Sequence, residues 1–239
     1  MWYKLKWIYV WANKVRPAWW EPWANTILYL PFESDIKDYS WNNRDVSSNN
    51  WMTQSTQKWV DCYYIASSWW ISLGTSASSW LKSGWNYFTL LCWVYRPTNP
   101  SWSNRCLLEF AVRDTIYKSV SIVSWSSQIR TAFNQTWTNT GLYTWNSDWC
   151  LISLTIDNWT QTIYLNDGTS SYSWSDNNWW WGSWSSSSQQ GCNLFAPRNW
   201  ISNWEAFNWY VSNLIMENRV WTQQEIATYF NQTKANYWL

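Results

Sequence analysis

The stretch Trp149-Cys150-Leu151-Ile152-Ser153-Leu154-Thr155-Ile156-Asp157, followed closely by Thr162-Ile163-Tyr164-Leu165-Asn166, decides the fold class. Cys150, Ile152, Leu154 and Ile156 fall on one face, and Ser153, Thr155 and Asp157 fall on the other. A period of two is that of a β-strand buried on one side, as in a sandwich. Asn166-Asp167-Gly168 supplies turn chemistry after the second run, and Asp157-Asn158-Trp159 joins the two runs where a hairpin wants Asp-Asn-Gly. Working outward, short runs rich in β-branched and aromatic residues recur at 26–32, 88–96, 106–113, 119–123 and 210–217, each bounded by turn residues. These predict an all-β fold. One helix is expected near the carboxyl end. There Thr222-Gln223-Gln224-Glu225 matches a capping box, and Ile226, Tyr229 and Phe230 form an apolar stripe.

Composition carries a second message. The chain has 30 tryptophans and 6 glycines in 239 residues, where an ordinary share of about 7% glycine gives roughly 17. Many of these tryptophans stand among Ser, Asn, Asp and Thr, as in Ser40-Trp41-Asn42-Asn43, Ser101-Trp102-Ser103-Asn104 and Asn158-Trp159-Thr160. Turns with positive φ accept glycine at essentially no steric cost and bulky side chains hardly at all. The placement predicts UGA codons read as tryptophan that the source organism, a bacterium or phage, decodes as glycine. If about four tryptophans are genuine, glycine rises to roughly 32, the share of a chain with many tight turns.

Charge is close to balance, with 16 basic and 15 acidic residues. That leaves no electrostatic footprint for nucleic acid, which is excluded as a partner, or for an anionic membrane surface. No apolar run is long enough to span a bilayer, so no membrane insertion is expected. The five cysteines, Cys62, Cys92, Cys106, Cys150 and Cys192, show no C-x-x-C pair, and histidine is absent, which removes the usual zinc arrangements. Cys92 and Cys150 lie inside apolar alternating runs and read as small buried hydrophobes.

The length suits one large all-β domain. Two units are expected: residues 1–23, an N-terminal hairpin and connector, and residues 24–239, the main domain. In the leader, Lys4, Lys6, Lys14 and Arg16 interrupt any signal-peptide core, and Trp11-Ala12-Asn13 recodes to a Gly-Ala-Asn hairpin. The leader either docks an assembly partner or packs locally on the domain. The Ser/Asn/Trp tract at 174–190 reads as a long loop.

With these elements placed, the chain resembles the concanavalin A-like, laminin-G-like jelly-roll modules. Ile27 to Asn42 resembles their opening strand and the "D-x-S-G-N" turn, with Trp41 at the glycine. Phe88-Thr89-Leu90-Leu91-Cys92-Trp93-Val94-Tyr95-Arg96-Pro97 resembles the "F-T-x-x-x-W-V-x-P" strand, where Trp93 matches a family tryptophan. Trp149 to Asp157 with Ile163 to Gly168 resembles the "W-H-x-x-x-T-x-D-G … x-Y-x-N-G" hairpin, with Cys150 in place of His. Phe207 to Val220 with Thr222 to Ile226 resembles the closing strand and helix, with Trp209 at a glycine position. The resemblance covers roughly residues 26–232 and implies a sandwich of two antiparallel sheets. The leader resembles the start of phage and prophage surface proteins, which implies an extracellular, cell-surface or virion setting.

Some members of the family are glucanases with an E-x-D-x-x-E strand, whose carboxyl groups sit about 5 Å apart. The nearest string here, Glu33-Ser34-Asp35-Ile36-Lys37-Asp38, ends in Asp, and strand periodicity places Asp38 opposite Glu33 and Asp35. There is neither a histidine base nor a G-x-S-x-G elbow for serine chemistry. The chain is therefore expected to be no enzyme and to need no cofactor. Asp61, Asp148, Asp176 and Asn177 offer oxygens of the kind calcium takes, and are equally ordinary turn formers. What the resemblance implies is binding: aromatic faces stacking on sugar rings, with amides and carboxylates meeting hydroxyls. Tyr63, Tyr64, Tyr143 and Tyr172 are the candidate ligand-binding residues, and core or cross-strand packing is the alternative reading of each. The expected function is a carbohydrate- or surface-binding module. A purely structural phage or surface component without sugar binding, and a glycoside hydrolase, are the alternatives.

Overall fold

The computed structural model describes residues 25–33, 35–40, 42, 52–65, 71–72, 87–95, 104–113, 116–123, 128–133, 136–143, 148–157, 160–175, 192–194 and 209–239. The strands are β1 (Thr26–Leu30), β2 (Met52–Gln57), β3 (Val60–Ile65), β4 (Ile71–Ser72), β5 (Tyr87–Tyr95), β6 (Asn104–Arg113) and β7 (Ile116–Val123). They continue with β8 (Gln128–Phe133), β9 (Thr136–Tyr143), β10 (Trp149–Asp157), β11 (Thr160–Leu165), β12 (Ser170–Ser175), β13 (Cys192–Leu194) and β14 (Tyr210–Glu217). Helix α1 (Gln223–Thr233) and a 3-10 turn (Lys234–Tyr237) close the chain. The fold is an all-β jelly-roll sandwich of two antiparallel sheets with one short C-terminal helix. The expected leader at 1–23, most of the tract at 174–190 and the Asn158-Trp159 turn lie outside the described residues.

One sheet has the order β12-β11-β10-β5-β14-β3-β2, with β1 also on β14, and the other runs β4-β13-β6-β7-β8-β9. Strands β5, β10 and β14 are central because their apolar runs pair on both edges, and β10 matches β5 without a break from Trp149↔Tyr95 to Asp157↔Tyr87. Between the sheets lies the main core, where Leu90, Cys92, Cys150, Ile152 and Leu154 of the first sheet meet Ile129, Leu142 and Leu194 of the second. Strand β2, with the polar sequence MTQSTQ, escapes the alternation rule because it is an edge strand with no buried residue.

The half-buried pattern expected for β10 is fully buried from Trp149 to Ile156. On the outer face, Trp149 and Leu151 join Trp93, Ile215 and Trp221 in a second apolar cluster, covered by Ile226, Tyr229 and Phe230 of α1 and by Tyr237. Trp93 stacks on Tyr237 at 3.9 Å between ring centroids and on Phe230 at 5.7 Å. The capping box forms as expected: the Thr222 hydroxyl accepts from Glu225 N, and the Glu225 carboxylate accepts from Thr222 N at 2.7 Å.

Candidate functional site

Strand β14 is where the first sheet changes partners. On its edge away from β5, Tyr210 and Val211 pair with β3, whereas Leu214 to Glu217 pair with β1. Between the two, the register against β5 slips by one residue at Ser212/Leu214. This β-bulge keeps Val211 and Leu214, three positions apart, both in the inter-sheet core. Asn213 is the extra residue. Its φ is +58°, a left-handed conformation that Asn adopts more readily than most residues, and its N–H donates to Pro31 O at 3.2 Å. The end of β1 and the start of β3 diverge over this point and leave a cleft of about 260 Å³.

Glu33 lines the cleft from the segment after β1, Asp61 from β3, Ser212 and Asn213 from the bulge, and Tyr237 from the 3-10 turn. Each is held by local structure. Gln54 of β2 donates to Glu33 O at 2.7 Å, and the Ser212 and Tyr237 hydroxyls lie 3.3 Å apart. Burial pushes the Tyr237 hydroxyl well above the ordinary tyrosine range, against lowering hydrogen bonds from the Ser212 and Asn213 side chains. Asn213 is 3% exposed, and its Oδ1 has no hydrogen-bond partner among the described residues.

Trp59 and Trp238 flank the cleft. Lys58 and Trp59 form a two-residue turn between Gln57 and Val60 with φ of +49° and +65°, the φ signature of a type I′ turn that favours Asn-Gly. Trp238 follows the 3-10 turn in the left-handed conformation, at the C-terminal position where helices most often place glycine. The two indoles are 80% and 66% exposed. Trp93, Trp149, Trp209 and Trp221 are instead buried, and none has a positive φ.

The four candidate tyrosines do not converge. Tyr63 is buried on the core face of β3 and packs on Phe32 at 6.0 Å, and Tyr172 packs against the same core from β12. Tyr64 points to the outer face, where it lies 5.1 Å from its cross-strand partner Tyr210, itself 5.8 Å from Tyr95. Tyr143 ends β9, and its side chain lies outside the described residues. Of the oxygens considered for calcium, Asp148 is 2.8 Å from Lys58 Nζ and Asp61 lines the cleft, while Asp176 and Asn177 lie outside the described residues.

In the glucanase-like string, Asp38 is a buried turn anchor. Its carboxylate accepts from Tyr29 N at 2.9 Å, Ser40 N at 2.8 Å and Ser40 Oγ at 2.7 Å. Asp35 accepts from Lys37 N and the Tyr39 hydroxyl. Cys62, Cys92 and Cys150 are buried, and burial raises all three thiols, those of Cys62 and Cys150 to about 12, which keeps them protonated and unreactive.

Sequence reasoning did not single out Asn213, Ser212 or Tyr237 as site residues. The signal was present in Val211-Ser212-Asn213-Leu214, where a polar pair breaks the alternation of an otherwise apolar strand, as a bulge does.

This architecture places the chain in the class of jelly-roll β-sandwiches, and solved structures of that class superimpose on it. Domain 4 of AbnA, a GH43 extracellular arabinanase from Geobacillus stearothermophilus in complex with arabinotriose, is similar with a TM-score of 0.63 and 13% identity, over 86% of this chain and 98% of that one. The binding domain of botulinum neurotoxin DC in complex with rat synaptotagmin II gives 0.65 and 12% over 87% of this chain. A structure concerned with the interaction of botulinum neurotoxin type C with two ganglioside molecules gives 0.61 and 12% over 87% of this chain.

 The botulinum neurotoxin serotype D binding domain gives 0.60 and 11%, also over 87% of this chain. The chain spans about half the length of these toxin binding domains. No family model matches the chain, and no curated protein does. At these identities the likeness establishes the fold. No helix among the described residues is long and apolar enough to cross a membrane.

Proposed function

We propose that the chain is a non-enzymatic module that binds carbohydrate or a glycan-bearing surface, carried by a phage or cell-surface protein and working outside the cell or on the virion. The observation that carries this reading is the cleft at the β14 bulge, where carboxylate, amide and hydroxyl groups converge. Polar groups of this kind in one cleft suit a sugar, whose hydroxyls need hydrogen-bond partners. Domain 4 of the arabinanase, a neighbour in fold, was solved with arabinotriose, which supports the same reading. Non-catalytic binding is supported by Asp38, whose three hydrogen bonds commit it to the turn.

We further propose that Trp59 and Trp238 are glycines in the protein its host makes, through UGA decoded as glycine. The support is their left-handed backbone and their exposure, a combination unfavourable for an indole and natural for glycine. The domain comprises residues 24–239 in this reading, and residues 1–23 form a hairpin and connector available to an assembly partner.

A glycan array probed with the Trp59→Gly, Trp238→Gly chain, run beside a reducing-sugar assay, tests the function. Specific binding without sugar release is expected. Silence across the array favours a purely structural component, and sugar release favours a hydrolase; either result overturns the proposal.

A further inference from the structure

We infer that the β2–β3 hairpin is a hinged flap forming one wall of the cleft, and that Lys58 and Asp148 are the positioning residues that latch it. Strand β3 pairs with β14 at Tyr210↔Tyr64 and Val211↔Tyr63, and beyond the bulge β1 takes its place on that edge from Leu214 to Glu217. Strands β2 and β3 nevertheless stay paired with each other from Met52↔Ile65 to Gln57↔Val60. The outer half of the hairpin is therefore a two-stranded ribbon that has left its sheet, and such a ribbon is marginally stable on its own. Its base is anchored where Ile65 N donates to Trp209 O at 3.0 Å, beside the Tyr64–Tyr210 ring pair. This base is the hinge.

The tip of the ribbon comes back across the outer face to the start of β10. There Lys58 Nζ lies 2.8 Å from Asp148 Oδ1, and the Trp149 indole N–H donates to Gln57 O at 3.3 Å. In the sheet order β14 and β5 stand between β3 and β10, so these contacts close a bridge over both strands. Beneath it Val60 and Cys62 pack into the outer apolar cluster. The same segment carries Trp59, Val60 and Asp61, which line the cleft, so the hairpin sets how wide the cleft stands. The latch is soft: its two side chains are 39% and 35% exposed, and ion pairs open to water are weak and screened by salt. Glycine at position 59 leaves it whole, since Gln57, Lys58, Asp148 and Trp149 supply its contacts. The hinged wall is independent of the carbohydrate-binding reading, whereas passage of a sugar beneath it rests on that reading.

Cys62 is the probe, because lifting the hairpin bares its thiol while Cys92 and Cys150 stay between the sheets. The full chain is labelled with N-ethylmaleimide under native conditions, and each modified cysteine is followed by peptide mass spectrometry. Where a thiol reacts through local opening, its labelling rate follows the open fraction. Two variants cut the ion pair: Lys58→Gln, and Asp148→Asn, which keeps the side-chain oxygen that Trp149 N donates to. Both are expected to speed labelling of Cys62 about threefold and to leave Cys92 and Cys150 at parental rates, with Lys58→Arg restoring the parental rate at Cys62. Added salt is expected to speed labelling of Cys62 in the parent and not in Lys58→Gln. Unchanged labelling of Cys62 in the variants overturns the flap. Equal acceleration at Cys62, Cys92 and Cys150 overturns it too, because the pair then supports the whole fold rather than the hairpin. Either failure leaves the carbohydrate-binding reading standing, and a silent glycan array removes that reading while leaving the flap.

Discussion

Six tryptophans with described side chains divide cleanly by backbone and burial. Trp59 and Trp238 are exposed and left-handed, whereas Trp93, Trp149, Trp209 and Trp221 are buried with ordinary backbones. A non-glycine residue in the left-handed region costs roughly 1–2 kcal/mol, and glycine returns about 0.5–1 kcal/mol of that through its greater loss of backbone freedom on folding. Trp59→Gly is therefore expected to stabilise the chain by about 0.5–1 kcal/mol in urea denaturation. Trp93→Ala removes a ring stacked between Tyr237 and Phe230 and is expected to cost about 3–5 kcal/mol. A Trp59→Gly chain that melts earlier than the parent counts against glycine at that position. Trp209, read from the sequence as standing at a glycine, packs in the main core, and its burial lends that reading no support.

Helix α1 shows how local signals and tertiary packing divide the work within one element. Its start is set by the reciprocal bonds of Thr222 and Glu225, and Thr222→Ala is expected to cost about 1 kcal/mol. Glu225 also pairs with Arg219, which bonds Glu217 at 2.8 Å, and Glu217 in turn accepts from the Trp221 indole. Burial raises the Glu225 carboxyl, but the bonds from Arg219 and Thr222 outweigh it, and the group ends below its ordinary value of 4.5. A carboxyl depressed in the folded state contributes stability that is present above its unfolded value and fades as pH falls through the folded one. The stability gap between the parent and Glu225→Gln should accordingly be full near neutrality and close below about pH 4. A gap that widens in acid would show that another group controls it. The capping box and the Ile226, Tyr229, Phe230 stripe were legible in the sequence because each depends on neighbours a turn apart. What the stripe covers was not: the outer face of β5, β10 and β14 is buried only because α1 folds back over it. Deleting residues 223–239 should uncover Trp93, Trp149 and Trp221 and yield an insoluble chain, with solubility of the truncated product as the measurement.

Across the whole molecule, strands far apart in sequence are neighbours in space: Thr26 pairs with Glu217, and β5 lies between β10 and β14. Such topology carries a large loop-closure cost before its contacts form, so refolding is expected in milliseconds to seconds or slower by stopped-flow fluorescence. Microsecond refolding would contradict this pairing order. Period-two alternation determined by itself that Trp149–Asp157 is a strand, β-branched and aromatic content did so for Tyr210–Glu217, and turn chemistry determined where several strands end, because all are governed by steric and hydration preferences acting within a few residues. Tertiary structure alone decided that the candidate tyrosines part company, with Tyr63 facing the core and Tyr64 the outer surface, and that Glu33, Asp61, Asn213 and Tyr237 meet at one cleft. Those four come from separate parts of the chain and are brought together where one strand exchanges partners. That exchange is a property of the assembled sheet, fixed by which edges are free to pair, and no local window of residues contains it.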